Sequence, residues 1–285
     1  MYIVDLLDGK KSRLSFEIFP PKRGMPLEGS KEIIKEMAAL NPDFISVTYG
    51  ALGNDSDNNV LLAKEVSNNG VPALAHMTCI NATKDKIARE LEILKKNGIK
   101  NILALRGDKP KDGSEVKSDF MYASDLIEFI KKQGDFCVGG ACYPEGHPQA
   151  GGVEKDIDNL KKKVDAGCDF FITQMFFDNN ILYNFMYRLL RAKIQIPVLA
   201  GIMPVTNVRQ MKGIIEISGT MLPAKFKAMV EKFGSNQDAM NQAGIVYALG
   251  QIVDLIANGF NYVHLYTLNK PSIAKAITES LSCII

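Results

Sequence analysis

Apolar positions along this chain follow two periods in turn. Runs with a period of two, or continuous apolar character, fall at 14–19 (LSFEIF), 44–49 (FISVTY), 72–78 (PALAHMT), 101–105 (NILAL), 136–143 (FCVGGACY), 170–176 (FFITQMF), 196–202 (IPVLAGI) and 262–267 (YVHLYT). These read as β-strands. Between them lie amphipathic stretches with helical spacing. The clearest is TKDKIARELEILKKNGI, where Thr83 is a candidate N-cap, Ile87, Leu91 and Leu94 recur on one face, and Gly98 closes the end. EKDIDNLKKKVDAGC, NNILYNFMYRLLRAK and NQAGIVYALGQIVDLIANG repeat the pattern.

Strands that alternate with helices at a spacing of roughly thirty residues predict βαβ units and a parallel sheet. Eight of them predict an α/β fold of one kind, a (β/α)8 TIM barrel. The interval before the last strand is long, about sixty residues, and predicts an extra helix around LPAKFKAMVEKFG, between strands 7 and 8. No Pro/Gly/Ser-rich linker divides the chain, so residues 1–285 read as one domain. An open doubly wound sheet is the structural alternative.

Composition narrows the function classes. The 285 residues are 46% hydrophobic and 23% charged, with a formal net charge of +2 and both signs interspersed. That balance gives no electrostatic case for nucleic acid or a membrane surface. No apolar run is long enough to span a bilayer, and the N-terminus MYIVDLLDGKKSR lacks the order of a signal peptide. Five widely spaced cysteines suit reduced thiols and a cytoplasmic location.

In a closed barrel the chemistry sits at the C-terminal ends of the strands. One parity of the strands ends there in Glu17, Thr48, His76 and Thr78, Arg106 and Asp108, Tyr143, Gln174 and Tyr266. The other parity, with Phe16, Val47, Leu103 and Leu105, is expected to face the helices. Glu17 is the odd residue: a carboxylate inside an apolar strand is either solvated at an edge, or desolvated and usable as an acid near neutral pH. Arg106 and Asp108 in LALRGDKP can point to the same place, although a surface turn would also explain them. His76, inside an apolar run, reads first as a core histidine. His147, in the turn-rich CYPEGHPQ, suits ligand contact better. No spacing of His and Cys supports a metal site. Neither a GxGxxG fingerprint, a P-loop nor a GxSxG elbow is present. Gly151 and Gly152 ahead of a helix are a weak phosphate signal.

Eight stretches, SFEIFPPK, DFISVTYGA, AHMTC, LALRGDKP, CYPEGHPQA, ITQMFFD, AGIMPV and HLYTLNK, resemble in order the 5,10-methylenetetrahydrofolate reductase family of the bacterial, catalytic-domain-only type. The resemblance runs from about residue 13 to 275. It implies a barrel that binds FAD without a Rossmann fold, with NADH or NADPH as co-substrate and ping-pong reduction of 5,10-methylenetetrahydrofolate to 5-methyltetrahydrofolate. By the same resemblance Glu17 is the general acid, Asp108 touches the folate and tunes the flavin, and Gln174 binds substrate. Thr48, His76, Arg106, Gly107, Asp108, Tyr143, His147, Asp156, Asn159 and Lys163 are implied FAD contacts. Tyr266, Leu268 and Lys270 are implied substrate contacts, with Lys270 standing where many members carry arginine, a change that loses the bidentate fork. A homo-oligomer and an electron-transfer partner protein are further expectations. The rival readings are a flavin-free, pterin-binding barrel methyltransferase subunit and a non-catalytic scaffold.

Overall fold

Eight parallel strands close in sequence order, each paired with its chain neighbours and the last with the first: β1 Arg13–Ile18, β2 Ile45–Val47, β3 Ala73–Thr78, β4 Asn101–Leu105, β5 Cys137–Cys142, β6 Phe170–Thr173, β7 Val198–Ile202 and β8 Tyr262–Tyr266. The computed structural model describes residues 1–21, 26–49, 56–107 and 118–285. Closure runs through the β1–β8 ladder, from Arg13 opposite Tyr262 to Glu17 opposite Tyr266. It leaves no unpaired sheet edge. Glu17 therefore lies on a central strand, which excludes the solvated-edge reading.

The helices are α1 Glu28–Ala38, α2 Ser56–Asn68, α3 Lys84–Lys96, α4 Ala123–Gln133, α5 Val153–Asp165, α6 Asn179–Arg191, α7 Val208–Ser218, α8 Ala224–Phe233, α9 Gln237–Ala257 and α10 Pro271–Ser280. Local chemistry sets their ends as the sequence suggests. Thr83 Oγ1 accepts from Lys86 N at 3.2 Å at the start of α3, and Gly98 takes φ +74° after its end. The expected extra helix before β8 is α8.

Two apolar layers share the sheet. Outward-facing Phe16, Val47, Ala75, Ile102, Ala104, Val138, Phe171, Ala200 and Val263 pack against the helices in the main core. Inward-facing Phe44, Leu74, Leu103, Cys137, Phe170, Ile172 and Leu199 join Ile3 and Leu7 of the N-terminal segment, which plug the barrel floor. Leu103, with Leu105 packed against the same cluster, thus faces the barrel interior and not the helices as their parity suggested. The physical reason is that from Ile102 to Leu105 β4 is apolar on both faces, and Arg106 lies beyond its last residue, so parity counted back from Arg106 is misleading.

Toward the C-terminal ends the interior turns polar. Gly201 on β7 makes room for this: a side chain there would meet the Tyr266 ring at 2.7 Å. With glycine in place, Tyr266 lies across the barrel and its hydroxyl donates to Thr173 O at 2.6 Å.

Candidate active site

Above the apolar floor the strands present Ser15, Ser46, His76 and His264, all buried, and Glu17 stands among them. His264 stacks on Phe44, with ring centroids 5.6 Å apart. Its Nδ1 lies 2.8 Å from Ser15 Oγ and its Nε2 lies 3.2 Å from Ser46 Oγ. A neutral imidazole carries one donor and one acceptor, and the two hydroxyls complete both. Glu17 Oε2 lies 4.0 Å from His264 Nε2 and 3.6 Å from His76 Nε2.

Those separations invite an ion-pair reading, but burial decides otherwise. Charging both partners in a dry interior costs several kcal/mol per ion before their attraction is counted. Desolvation pushes the Glu17 carboxyl up to about 8, only partly opposed by the Ser46 hydroxyl. The same loss of water drives His76 and His264 down to about 3. The imidazoles stay neutral and the proton stays on Glu17 at neutral pH.

The backbone around Glu17 is held from β8. Thr267 Oγ1 donates to Glu17 O at 2.8 Å. Asn269 brackets Phe19, accepting from its N at 2.8 Å and donating to its O at 2.9 Å. Leu268 and Asn269 both have positive φ, +53° and +57°, a conformation costing about 1 kcal/mol or more per residue and here offset by those bonds. The intervening residues of HLYTLNK thus anchor β1. Leu268 packs on a cluster of Met175, Phe177, Met203 and Phe226 beside the mouth. Lys270 precedes α10, and its Nζ donates to Thr206 Oγ1 at 3.1 Å.

The remaining candidates lie around the same end of the barrel. Thr48 follows β2, and its Oγ1 is buried without a hydrogen-bond partner, as is His76 Nε2. Arg106 and Gly107 follow β4, with Gly107 at φ +86°. Asp108 lies outside the described residues. Tyr143 and His147 follow β5 and meet edge-to-face at 4.6 Å. His147 N donates to Asp156 Oδ2 at 3.0 Å, which ties this loop to α5. On α5, Asp156, Asn159 and Lys163 fall at helical spacing along one side. Asp156 is buried, Asn159 is exposed, and Lys163 Nζ donates to Ala141 O at 2.7 Å. Burial lowers the Lys163 pKa and raises that of Asp156. Gln174 follows β6; its Oε1 accepts from Met175 N at 2.9 Å, which turns the NH2 group into the end able to reach a ligand.

Two titratable groups escaped the sequence reading. His264 shares strand parity with Tyr266 and could have been found that way. Glu145 has a buried Oε1 with no partner, while Oε2 accepts from Met221 N at 2.9 Å and joins the β5–α5 loop to the segment before α8. A contact across 76 positions leaves no local signal. Among the described residues no cluster of His, Cys, Asp and Glu could hold a metal ion, and no helix is long and apolar enough to cross a membrane.

The unpartnered Thr48 Oγ1 and His76 Nε2 are the test of whether a cofactor fits. Buried polar atoms are normally paired, so two orphans at one barrel mouth call for a ligand bringing hydrogen-bonding groups of its own. A flavin, with donors and acceptors along its ring, meets that demand.

Comparison with known proteins agrees with this architecture. A solved structure described as an uncharacterized protein from Clostridium thermocellum that binds two copies of 5-methyl-5,6,7,8-tetrahydrofolic acid superposes with a TM-score of 0.71. It covers 100% of both chains at 15% identity, a likeness of fold alone. The 5,10-methylenetetrahydrofolate reductase of Escherichia coli K12 is 35% identical over 94% of this chain and 90% of its own. Methylenetetrahydrofolate reductase (NADH) 1 of Arabidopsis thaliana is 36% identical over 96% of this chain and 49% of its own. The methylenetetrahydrofolate reductase pattern matches residues 3–282, and with relatives similar over nearly the whole barrel, the chain belongs to the methylenetetrahydrofolate reductase family.

Proposed function

We propose that this family member works with FAD as its bound cofactor and NADH or NADPH as donor, and that Glu17 is the acid that activates the folate. The observation carrying the reading is a carboxyl that burial keeps protonated to about pH 8, beside two orphaned polar atoms at the barrel mouth. Thr48, His76, Arg106, Gly107, Tyr143, His147, Asp156, Asn159 and Lys163 would hold the cofactor. The cationic Arg106 and Lys163 suit its pyrophosphate. FAD held there would supply two-electron hydride chemistry.

The protein's own steps concern the proton. Glu17 holds it in a layer where neutral His76 and His264 do not compete for it. Ser15 and Ser46 fix the His264 ring, and Thr267 fixes the Glu17 backbone. Delivered to N10 of 5,10-methylenetetrahydrofolate, the proton breaks the C–N10 bond and opens the imidazolidine ring to a 5-iminium cation, the hydride acceptor. The Glu17 carboxylate left behind then faces a cation that it stabilises, and the family resemblance gives Asp108 the same role. Gln174 and Tyr266 orient the pterin, and Lys270 contacts the substrate.

The test is anaerobic. The purified protein should show flavin absorbance near about 450 nm, bleach with NADH or NADPH, and recover colour on adding methylenetetrahydrofolate. A colourless protein that instead moves the methyl group of methyltetrahydrofolate to a corrinoid would overturn the reading.

A further inference from the structure

On the outer side of the Phe177 cluster, a cavity of about 860 Å³ opens between the N-terminus of α6, α8 and α9. Its size falls in the range of small-molecule pockets, about 300–1,000 Å³. Phe177, Met229, Phe233, Val246 and Tyr247 give it an apolar body. Gln251, only 7% exposed, is part of its lining. Its Nε2 donates to Phe176 O at 3.1 Å and to Asn179 Oδ1 at 3.2 Å, which fixes the amide orientation. Oε1 is left buried with no hydrogen-bond partner. An unsatisfied buried acceptor is costly, and a ligand that brings a donor can satisfy it.

The local field says which donor. Asp178 and Asp254 both line the cavity. Asn179 Nδ2 and Tyr183 OH each donate to Asp254 Oδ2 at 2.6 Å, and these bonds hold its pKa below the usual carboxylate value. Lys225 is the one basic residue in the lining, so the formal balance is one net negative charge. Folates and nicotinamide dinucleotides are anions, the wrong sign for this wall.

We propose that this cavity binds a small organic cation, an ammonium or amidinium on an aromatic or aliphatic body, with its N–H donating to Gln251 Oε1 and its apolar part lying on Phe177, Tyr247 and Val246. The inference stands apart from the redox chemistry and does not require it.

Three probes with one body separate the charge from the shape: phenethylammonium, 2-phenylethanol and 3-phenylpropionate, titrated into the purified protein by saturation-transfer NMR. Phenethylammonium should bind saturably, about fivefold or more tighter than the other two, the scale of one charge–charge contact near 4 Å in water. Gly250 lines the cavity, and a side chain added there meets nothing within 4 Å, so Gly250→Phe should fold normally and abolish the binding. As an independent readout, Val246→Trp places a tryptophan on the cavity wall of a chain that has none. Its fluorescence should change saturably with the cation and not with the anion. Equal binding of the three probes, no saturable binding, or undiminished binding to folded Gly250→Phe would overturn the proposal.

Discussion

Glu17→Gln is expected to slow the folate half-reaction by about 10²- to 10⁴-fold, the usual worth of a positioned proton donor. Flavin content, and flavin reduction by nicotinamide, should stay within about twofold, because that half-reaction uses no proton from Glu17. The amide nearly matches the carboxyl in size, so the layer of Ser46, His76 and His264 around it has no cause to repack. What it lacks is an O–H that can leave as a proton. Rapid mixing of the reduced enzyme with methylenetetrahydrofolate, against a parallel trace for nicotinamide and oxidised enzyme, measures both halves. Loss in the nicotinamide half as large as in the folate half would show that the residue serves flavin binding or barrel integrity instead.

The same substitution should make the protein more stable. The Glu17 carboxyl titrates near its ordinary 4.5 in the unfolded chain and near 8 in the barrel. Between those values the native state holds a proton that the unfolded chain has released, so rising pH through this window favours unfolding. At pH 7 the accumulated cost is on the order of 3 kcal/mol, and glutamine, which does not ionise, removes it. Thermal unfolding of the variant and the parent should coincide near pH 4.5. They should then diverge, until the variant melts about 5–10 °C higher at pH 8. A gap that is constant across the range would mean that Glu17 ionises as readily in the barrel as in water. The expected opposition of activity and stability is the mark of a site that holds a destabilising group for its chemistry.

The alternation of strand and helix periods was enough to reveal the barrel, because each period reflects backbone geometry within a few residues. Strand parity fared worse where both faces are apolar. In β4 the inward Leu103 and outward Ile102 differ in no property that a linear reading can use. Glu17 stood out since a carboxylate in an apolar strand demands an explanation. His264 did not, although its contacts with Ser15 and Ser46 bring together residues 249 and 218 positions away. Its neutrality depends on the barrel closing over it, a property of tertiary burial. Thr267 and Asn269 were read past for a related reason: their work is on the backbone of β1, 250 positions earlier.

The most direct test of the proton-donor role is the pH dependence of the folate half-reaction, followed in a single turnover of pre-reduced enzyme. The protonated form of Glu17 is the active one. The rate constant should therefore be level below about pH 7 and fall about tenfold per unit above pH 8, and Glu17→Gln should lack that step. A rate that climbs with pH, or the same step in the glutamine variant, would contradict the assignment.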